Sequence, residues 1–295
     1  MNLQSLFAEP IIEVEELAAD YDDHASDIWR VQTRTEDVIV RASRISAEGV
    51  ENHSFFSGVK ELFGVEPYHL SRLVTIYKEL ERIGALAVPR IFRVGQCLDR
   101  TCLVVERMPG TRLASFCELP DAVLQQLGEA VARHHAQTYP LIGQIDQSWG
   151  YPLREFPIRL AQAMARIACQ HHAGDSELHA LLPVYCEKAL ALSPPQTSSP
   201  ILVDFYPGQF LRSENHLGAL VDAEVVVAGP PELELVILEY LLDEAAAAAF
   251  RTGYESVRKF PDIDRVRDVY RLFIRLIGVH GSMPIAQALQ WPEYL

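Results

Sequence analysis

The chain has 295 residues, 49% hydrophobic and 22% charged, with a formal net charge of −14. That length and apolar content allow two sizeable cores and exclude a disordered chain. The acidic excess argues against a nucleic-acid binder; it suits a cationic small molecule, or simply keeps the protein in solution. No apolar run approaches the roughly 20 residues that span a bilayer, and the Ala245–Phe250 stretch is short and flanked by Asp243, Glu244 and Arg251. Glu13, Glu15, Glu16 and Asp20 follow the start with no basic lead, so no secretory signal is expected. The five cysteines lack C-x-x-C spacing, which points to reduced thiols in a cytoplasmic protein and no zinc site.

In chain order, residues 1–20 read as a short amphipathic segment interrupted at Pro10. Tyr21 to Ser26 is a polar turn. Asp27–Thr33 and Asp37–Ala42 then read as strands of a hairpin around Arg34-Thr35-Glu36. Phe55–Phe63 has helical spacing, weakened by Gly58 and capped by Gly64. Pro67 restarts the chain. Leu70, Leu73, Ile76, Tyr77, Leu80 and Ile83 then mark an amphipathic helix that Gly84 closes. Pro120-Asp121 opens a helix with Leu124, Leu127, Val131 and His134 on one face. Adjacent helical residues diverge, so His134-His135 and His171-His172 read as packing or surface histidines, not metal ligands. Further helices are predicted over Ile158–Cys169, over Glu177–Leu192 with a kink at Pro183, within Leu235–Phe260, and over Val266–Ile277.

The chemistry concentrates between Pro200 and Glu224. Asp204 and Asp222 each follow an apolar triplet, Ile201–Val203 and Ala219–Val221, of β character. Arg212–His216 has hairpin composition, so the two strands are expected side by side with both acids at their ends. Two such acids can divide phosphoryl transfer, one taking the proton of an attacking hydroxyl and the other holding magnesium.

This segment resembles the catalytic and metal-binding loops of the aminoglycoside phosphotransferase and choline kinase group of small-molecule kinases. Asp204 stands at the catalytic Asp of H-G-D-x-x-x-x-N, with Pro207-Gly208 matching and Gln209 in the place of Asn. Leu202-Val203 replace His-Gly. Leu220-Val221-Asp222 is similar to the metal-binding strand, and Gly229-Pro230-Pro231 with Glu234-Leu235 to the turn and helix after it. Val38–Arg41 resembles the V-A-I-K strand, with Arg41 for Lys, and Cys102–Gly110 resembles the linker between lobes.

The resemblance implies an α+β, bilobal protein-kinase-like fold. Residues 1–107 form a small lobe with an antiparallel sheet and inserted helices over 47–83, and residues 108–295 a larger, mainly helical lobe. It further implies ATP and Mg2+ as cofactors and a small-molecule hydroxyl as acceptor. Asp204 would be catalytic, Asp222 and Gln209 metal ligands, Arg41 a phosphate contact, and Glu106 and Met108 the adenine edge. The partner acid of Arg41 on the Leu70–Ile83 helix is not placed; Glu79 reads as a solvated residue. None of residues Asp20–Asp27 is glycine, so the loop expected over the phosphates is not evident. These departures keep a second function open, a catalytically impaired binding module.

Overall fold

A computed structural model describes residues 3–17, 26–44, 47–66, 69–97 and 100–295. The small half is built on an antiparallel sheet of β1 (Glu13–Glu16), β2 (Ser26–Gln32), β3 (Asp37–Ser43), β4 (Ile91–Cys97) and β5 (Arg100–Glu106), in spatial order β1-β2-β3-β5-β4. The hairpin forms where its polar break predicts it, in register from Ser26↔Ser43 to Gln32↔Asp37. Trp29, Val31, Val38 and Val40 alternate onto one buried face with Cys102 and Val104. The N-terminal segment is a 3-10 turn at Leu3–Leu6, with Leu3 and Phe7 packed on that face, followed by β1. Three exposed glutamates on this edge strand discourage pairing with another chain. The segment 18–25, with most of the expected polar turn and of the glycine-free stretch, and Pro67 lie outside the described residues.

Between β3 and β4 come α1 (Ala47–Asn52), α2 (Ser54–Phe63) and α3 (Arg72–Ile83). Gly84 ends α3 at φ 67°, its N–H bonded to the Leu80 carbonyl. The larger half contains β6 (Thr111–Arg112), α4 (Asp121–Ala136), β7 (Leu141–Gly143), β8 (Gly150–Pro152), α5 (Phe156–His171) and α6 (Ser176–Ala191). It continues with β9 (Ser199–Leu202), β10 (Phe210–Ser213), β11 (His216–Leu220), β12 (Val226–Gly229), α7 (Pro231–Glu239), α8 (Glu244–Glu255), α9 (Asp264–Ile277) and α10 (Ile285–Leu289). α6 runs on through Pro183 as one helix. Among the described residues no helix is long and apolar enough to cross a membrane.

Two close approaches explain glycines inside helices. A Cβ on Gly58 would lie 2.2 Å from Ile277 of α9, so the residue that weakens α2 in isolation lets it seat on the larger half. There Ser54 donates to the Ile277 carbonyl, Tyr151 to the Leu62 carbonyl and Gln144 to the Gly64 carbonyl. By packing, α2 therefore sides with the half that a division at residue 107 would separate it from. At the α4–α8 crossing, a Cβ on Gly128 would sit 2.0 Å from the Phe250 carbonyl oxygen, and one on Gly253 1.9 Å from that of Gln125.

Two buried polar networks tie the larger half together. Wholly buried His135 bonds Tyr254 through Nδ1 at 2.9 Å and Glu234 through Nε2 at 2.7 Å, the packing role expected of it. Glu239, also wholly buried, accepts from Arg267 and Arg271 on one oxygen and from the backbone N–H groups of Tyr294 and Leu295 on the other. A buried carboxylate is tolerated only with partners of this kind.

Candidate active site

The two acids reach one place by a route different from the expected one. The Arg212–His216 hairpin joins β11 to β10, while β9 pairs with β12. The reason lies in Pro207–Gln209, a 3-10 turn that reverses the chain after Asp204 and starts a new strand at Phe210. Backbone bonds from Val203 N to the Val225 carbonyl (3.3 Å) and from Val221 N to the Gln209 carbonyl (2.8 Å) then draw the two loops together. Behind them, Glu234 of α7 accepts the Leu202 N–H at 2.5 Å, fixing the strand end two residues before Asp204.

Asp204 is partly buried as a residue, but its Oδ1 is enclosed and has no hydrogen-bond partner. Burial, and next the charge of Asp222, push its pKa up to about 8, while the Gln209 side chain pulls it down. Gln209 Oε1 accepts the Tyr206 N–H at 2.9 Å. The oxygen expected to face a metal is thus turned onto the loop itself, and Gln209 acts as a brace for the turn that carries Asp204.

Arg41, on β3, is 3% exposed and reaches across to the same loops. Its Nη1 donates to the Val221 carbonyl at 3.0 Å. Its Nη2 is shared between Asp222 Oδ1 at 2.9 Å and Glu224 Oε1 at 2.7 Å. Burial opposes the charge, but Asp222 and Glu224 outweigh it and hold the guanidinium pKa well above its usual value. Glu224 also accepts from Ser26 Oγ of β2 at 2.5 Å. Its pKa is pressed upward by burial, with Arg41 pulling the other way. The expected phosphate contact is therefore already engaged with carboxylates.

Helix α3 supplies no acid to Arg41. Its Glu79 is not freely solvated: it accepts from Arg82 at 2.7 Å and from the Tyr139 hydroxyl. Tyr77 of α3 reaches the loop instead, donating to the Val221 carbonyl at 3.0 Å. Arg72, in the first turn of α3, is half-buried and has no ion-pair partner among the described residues; burial lowers its pKa despite the field of Asp146, Glu224 and Glu66. On the linker, Glu106 forms a two-point pair with Arg90 and its N–H bonds the Arg90 carbonyl at 2.8 Å, so that donor is not open to a base. Met108 is half-buried just past the end of β5.

A cleft of about 440 Å³ opens beside the loop after Asp204. Tyr206 and Pro207 form one side; residues 114–117, residues 240–243, Trp291 and Tyr294 line the rest. Tyr240 and Trp291 stack at 5.2 Å, and Asp243 Oδ1 caps α8 through the Ala246 N–H.

Sequence reasoning missed Glu224, Ser26 and Tyr77. Only Glu224 carried a signal, an acid spaced two residues from Asp222. The other two act through contacts between distant segments that no local pattern records.

Among the described residues no three acids, histidines or cysteines converge as a metal cage. Magnesium does not require one, since it keeps waters and binds one or two carboxylates plus substrate phosphates. The enclosed Asp204 Oδ1 and the Asp222 carboxylate, whose side chain is 34% exposed, form a hard-oxygen set of that kind.

The model of the phosphotransferase enzyme family matches residues 21–269. No curated protein sequence matches the chain. Among solved structures, macrolide 2'-phosphotransferase MphH from Brachybacterium faecium superposes with TM-score 0.60 at 14% identity, over 99% of this chain and 97% of that one. Spectinomycin phosphotransferase in complex with ADP and spectinomycin gives 0.60 at 11% identity, over 94% and 84%. Aminoglycoside phosphotransferase APH(4)-Ia in ternary complex with ADP and hygromycin B gives 0.59 at 16%, over 91% and 85%. At these identities the superpositions establish the bilobal kinase-like fold.

Proposed function

We propose, from the premise that this chain belongs to the phosphotransferase enzyme family, that it moves the γ-phosphoryl group of ATP to a hydroxyl of a small molecule. The observation that carries the reading is the approach of the Asp204 and Asp222 loops across the Val221–Gln209 backbone bond, near enough for the charge of Asp222 to bear on Asp204, with Arg41 bonded to Asp222 from the sheet. The acceptor hydroxyl oxygen attacks the γ-phosphorus, its proton passes to Asp204, and the bond to the β-phosphate oxygen breaks to release ADP. An acid whose pKa lies near 8 is matched to that transfer near neutral pH. Asp222 would hold Mg2+, with Asp204 beside it. When bound, the ion neutralises the triphosphate and the charge developing on the leaving oxygen. Arg41 orients the Asp222 loop, and Met108 packs on the base.

The acceptor binds in the cleft beside Tyr206 and Pro207. Its aromatic walls and the Asp243 carboxylate suit a hydroxyl compound bearing an amine. The spectinomycin, hygromycin B and ADP complexes of structural neighbours support the class of ligand. The five free cysteines suit a reducing, cytoplasmic setting.

Asp204→Ala and Asp222→Ala test the assignment in an ATP-consumption screen over hydroxyl-bearing amines and sugars. Both should abolish turnover, and Asp222→Ala should also remove magnesium-dependent nucleotide binding. Undiminished turnover in either variant would overturn it. The second reading is a non-catalytic module, in which the pair of Arg41 with Asp222 only ties the sheet to the loop. A wild-type protein whose melting temperature ignores ATP with or without magnesium would select that reading.

A further inference from the structure

The cation of β3 takes its counter-ion from an unexpected source. No acid of α3 approaches Arg41; the acid comes from Glu224, two residues beyond Asp222 on the same loop. We infer that Glu224 is a positioning residue that shares the charge of Arg41 with Asp222, so that Asp222 keeps a net negative charge with which to bind a divalent cation. The inference rests on the phosphotransferase reading of this site.

The geometry separates the two acids. Both meet the same nitrogen, Arg41 Nη2, but Glu224 is the closer, at 2.7 Å against 2.9 Å. The Glu224 side chain is 6% exposed and cannot turn to solvent, whereas that of Asp222 is 34% exposed. Ser26 Oγ, donating to Glu224 Oε1 at 2.5 Å, holds the carboxylate against the guanidinium from the sheet side. Arg41 is paired with both carboxylates, so the three groups together carry one net negative charge, and its exposed part lies on Asp222. Without Glu224 the whole positive charge of Arg41 would fall on Asp222. That would cancel its attraction for a cation and set a like charge beside the ion. Ser26 and Arg41 belong to the small half, Asp222 and Glu224 to the large one, so the same contacts set how the sheet sits over the loop.

The test measures ATP binding with and without magnesium by calorimetry and thermal shift, alongside kcat and KM. It compares wild type, Glu224→Gln, Glu224→Asp and, as a control that removes an uncharged contact from α3 to the same loop, Tyr77→Phe. Glu224→Gln should lose about 10–100-fold in the magnesium-dependent part of ATP affinity, the range typical when a group behind a metal ligand is removed. Metal-free ATP binding should change little. Glu224→Asp should recover part of the loss, and Tyr77→Phe should keep the magnesium dependence. A Glu224→Gln protein that melts cooperatively and binds magnesium-ATP as wild type does would overturn the inference while leaving the phosphotransferase reading standing. Wild type with no magnesium-dependent ATP binding would overturn that reading and the inference with it. If Glu224→Gln fails to fold, Ser26→Ala, which loosens Glu224 without removing charge, should show a smaller loss of the same kind; an unchanged magnesium dependence there would also count against the inference.

Discussion

Replacing Asp204 by Asn should make the ligand-free protein more stable while abolishing its activity. The carboxyl has an ordinary pKa of 3.8 and is pushed up to about 8 in the folded protein, by burial first and by Asp222 second. A group whose folded pKa exceeds its unfolded value binds its proton more tightly when folded. Its penalty is absent below about pH 4, grows through the interval, and is complete above about pH 8. Each tenfold difference in proton affinity between the folded and unfolded chains is worth about 1.4 kcal/mol, so at pH 7 the ionisable acid destabilises the fold by about 4 kcal/mol. Asn has nearly the same shape and no charge, and it keeps a neutral polar group in the same enclosure. The variant should therefore gain on the order of 2–4 kcal/mol at pH 7, a rise of several degrees in melting temperature. The measurement is a series of thermal and urea melts from pH 4.5 to 8.5, without nucleotide and with a chelator present. The gap between the proteins should be small at the acid end and widen by about 1.4 kcal/mol per pH unit toward 8. A gap that does not vary with pH, or a less stable Asn variant throughout, would refute the reasoning.

Glu239→Gln should leave buried Arg271 with uncharged partners only, and Arg267 with its outward pairs to Asp264 and Glu293; a loss of about 3–5 kcal/mol in urea unfolding is expected, and an unchanged midpoint would show the network to be dispensable. Gly128→Ala drives a methyl into the Phe250 carbonyl and should cost about 1–3 kcal/mol as α4 and α8 part, read as a lower melting temperature. Arg72→Met removes a half-buried cation that lacks an ion-pair partner among the described residues; the nucleotide KM should rise several-fold with no fall in melting temperature if Arg72 faces the phosphates, and stay constant otherwise.

The parts legible in the sequence were those written in local patterns. The period of α3 with its glycine cap and the polar break of the β2–β3 hairpin each depend on neighbours along the chain. The approach of the Asp204 and Asp222 loops was legible because each acid follows an apolar triplet of β character. The pairing of β9 with β12 was not, because hairpin composition at Arg212–His216 says that a turn occurs there but not which strand precedes it. The partner of Arg41 was missed for a similar reason: Ser26, Arg41 and Glu224 are distant in sequence and meet only through the closure of two halves. Gly58 was read as a weakness of α2, since a sequence shows the helix propensity of glycine and not the neighbour that needs its space.

The anchoring of the final residues bears on any effort to redesign what this protein accepts. Trp291 and Tyr294 line the recess next to Asp204's loop, and the main chain at Tyr294 and Leu295 is fastened to the same carboxylate that restrains two arginines of α9. That wall behaves as a fixed plate, not a pliable flap. Exchanging the aromatic rings themselves can reshape the recess, whereas altering the course of the tail disturbs the charge balance beneath α7. With the acceptor placed in this recess as proposed, selectivity is best engineered at the tips of these side chains, with the plate behind them untouched.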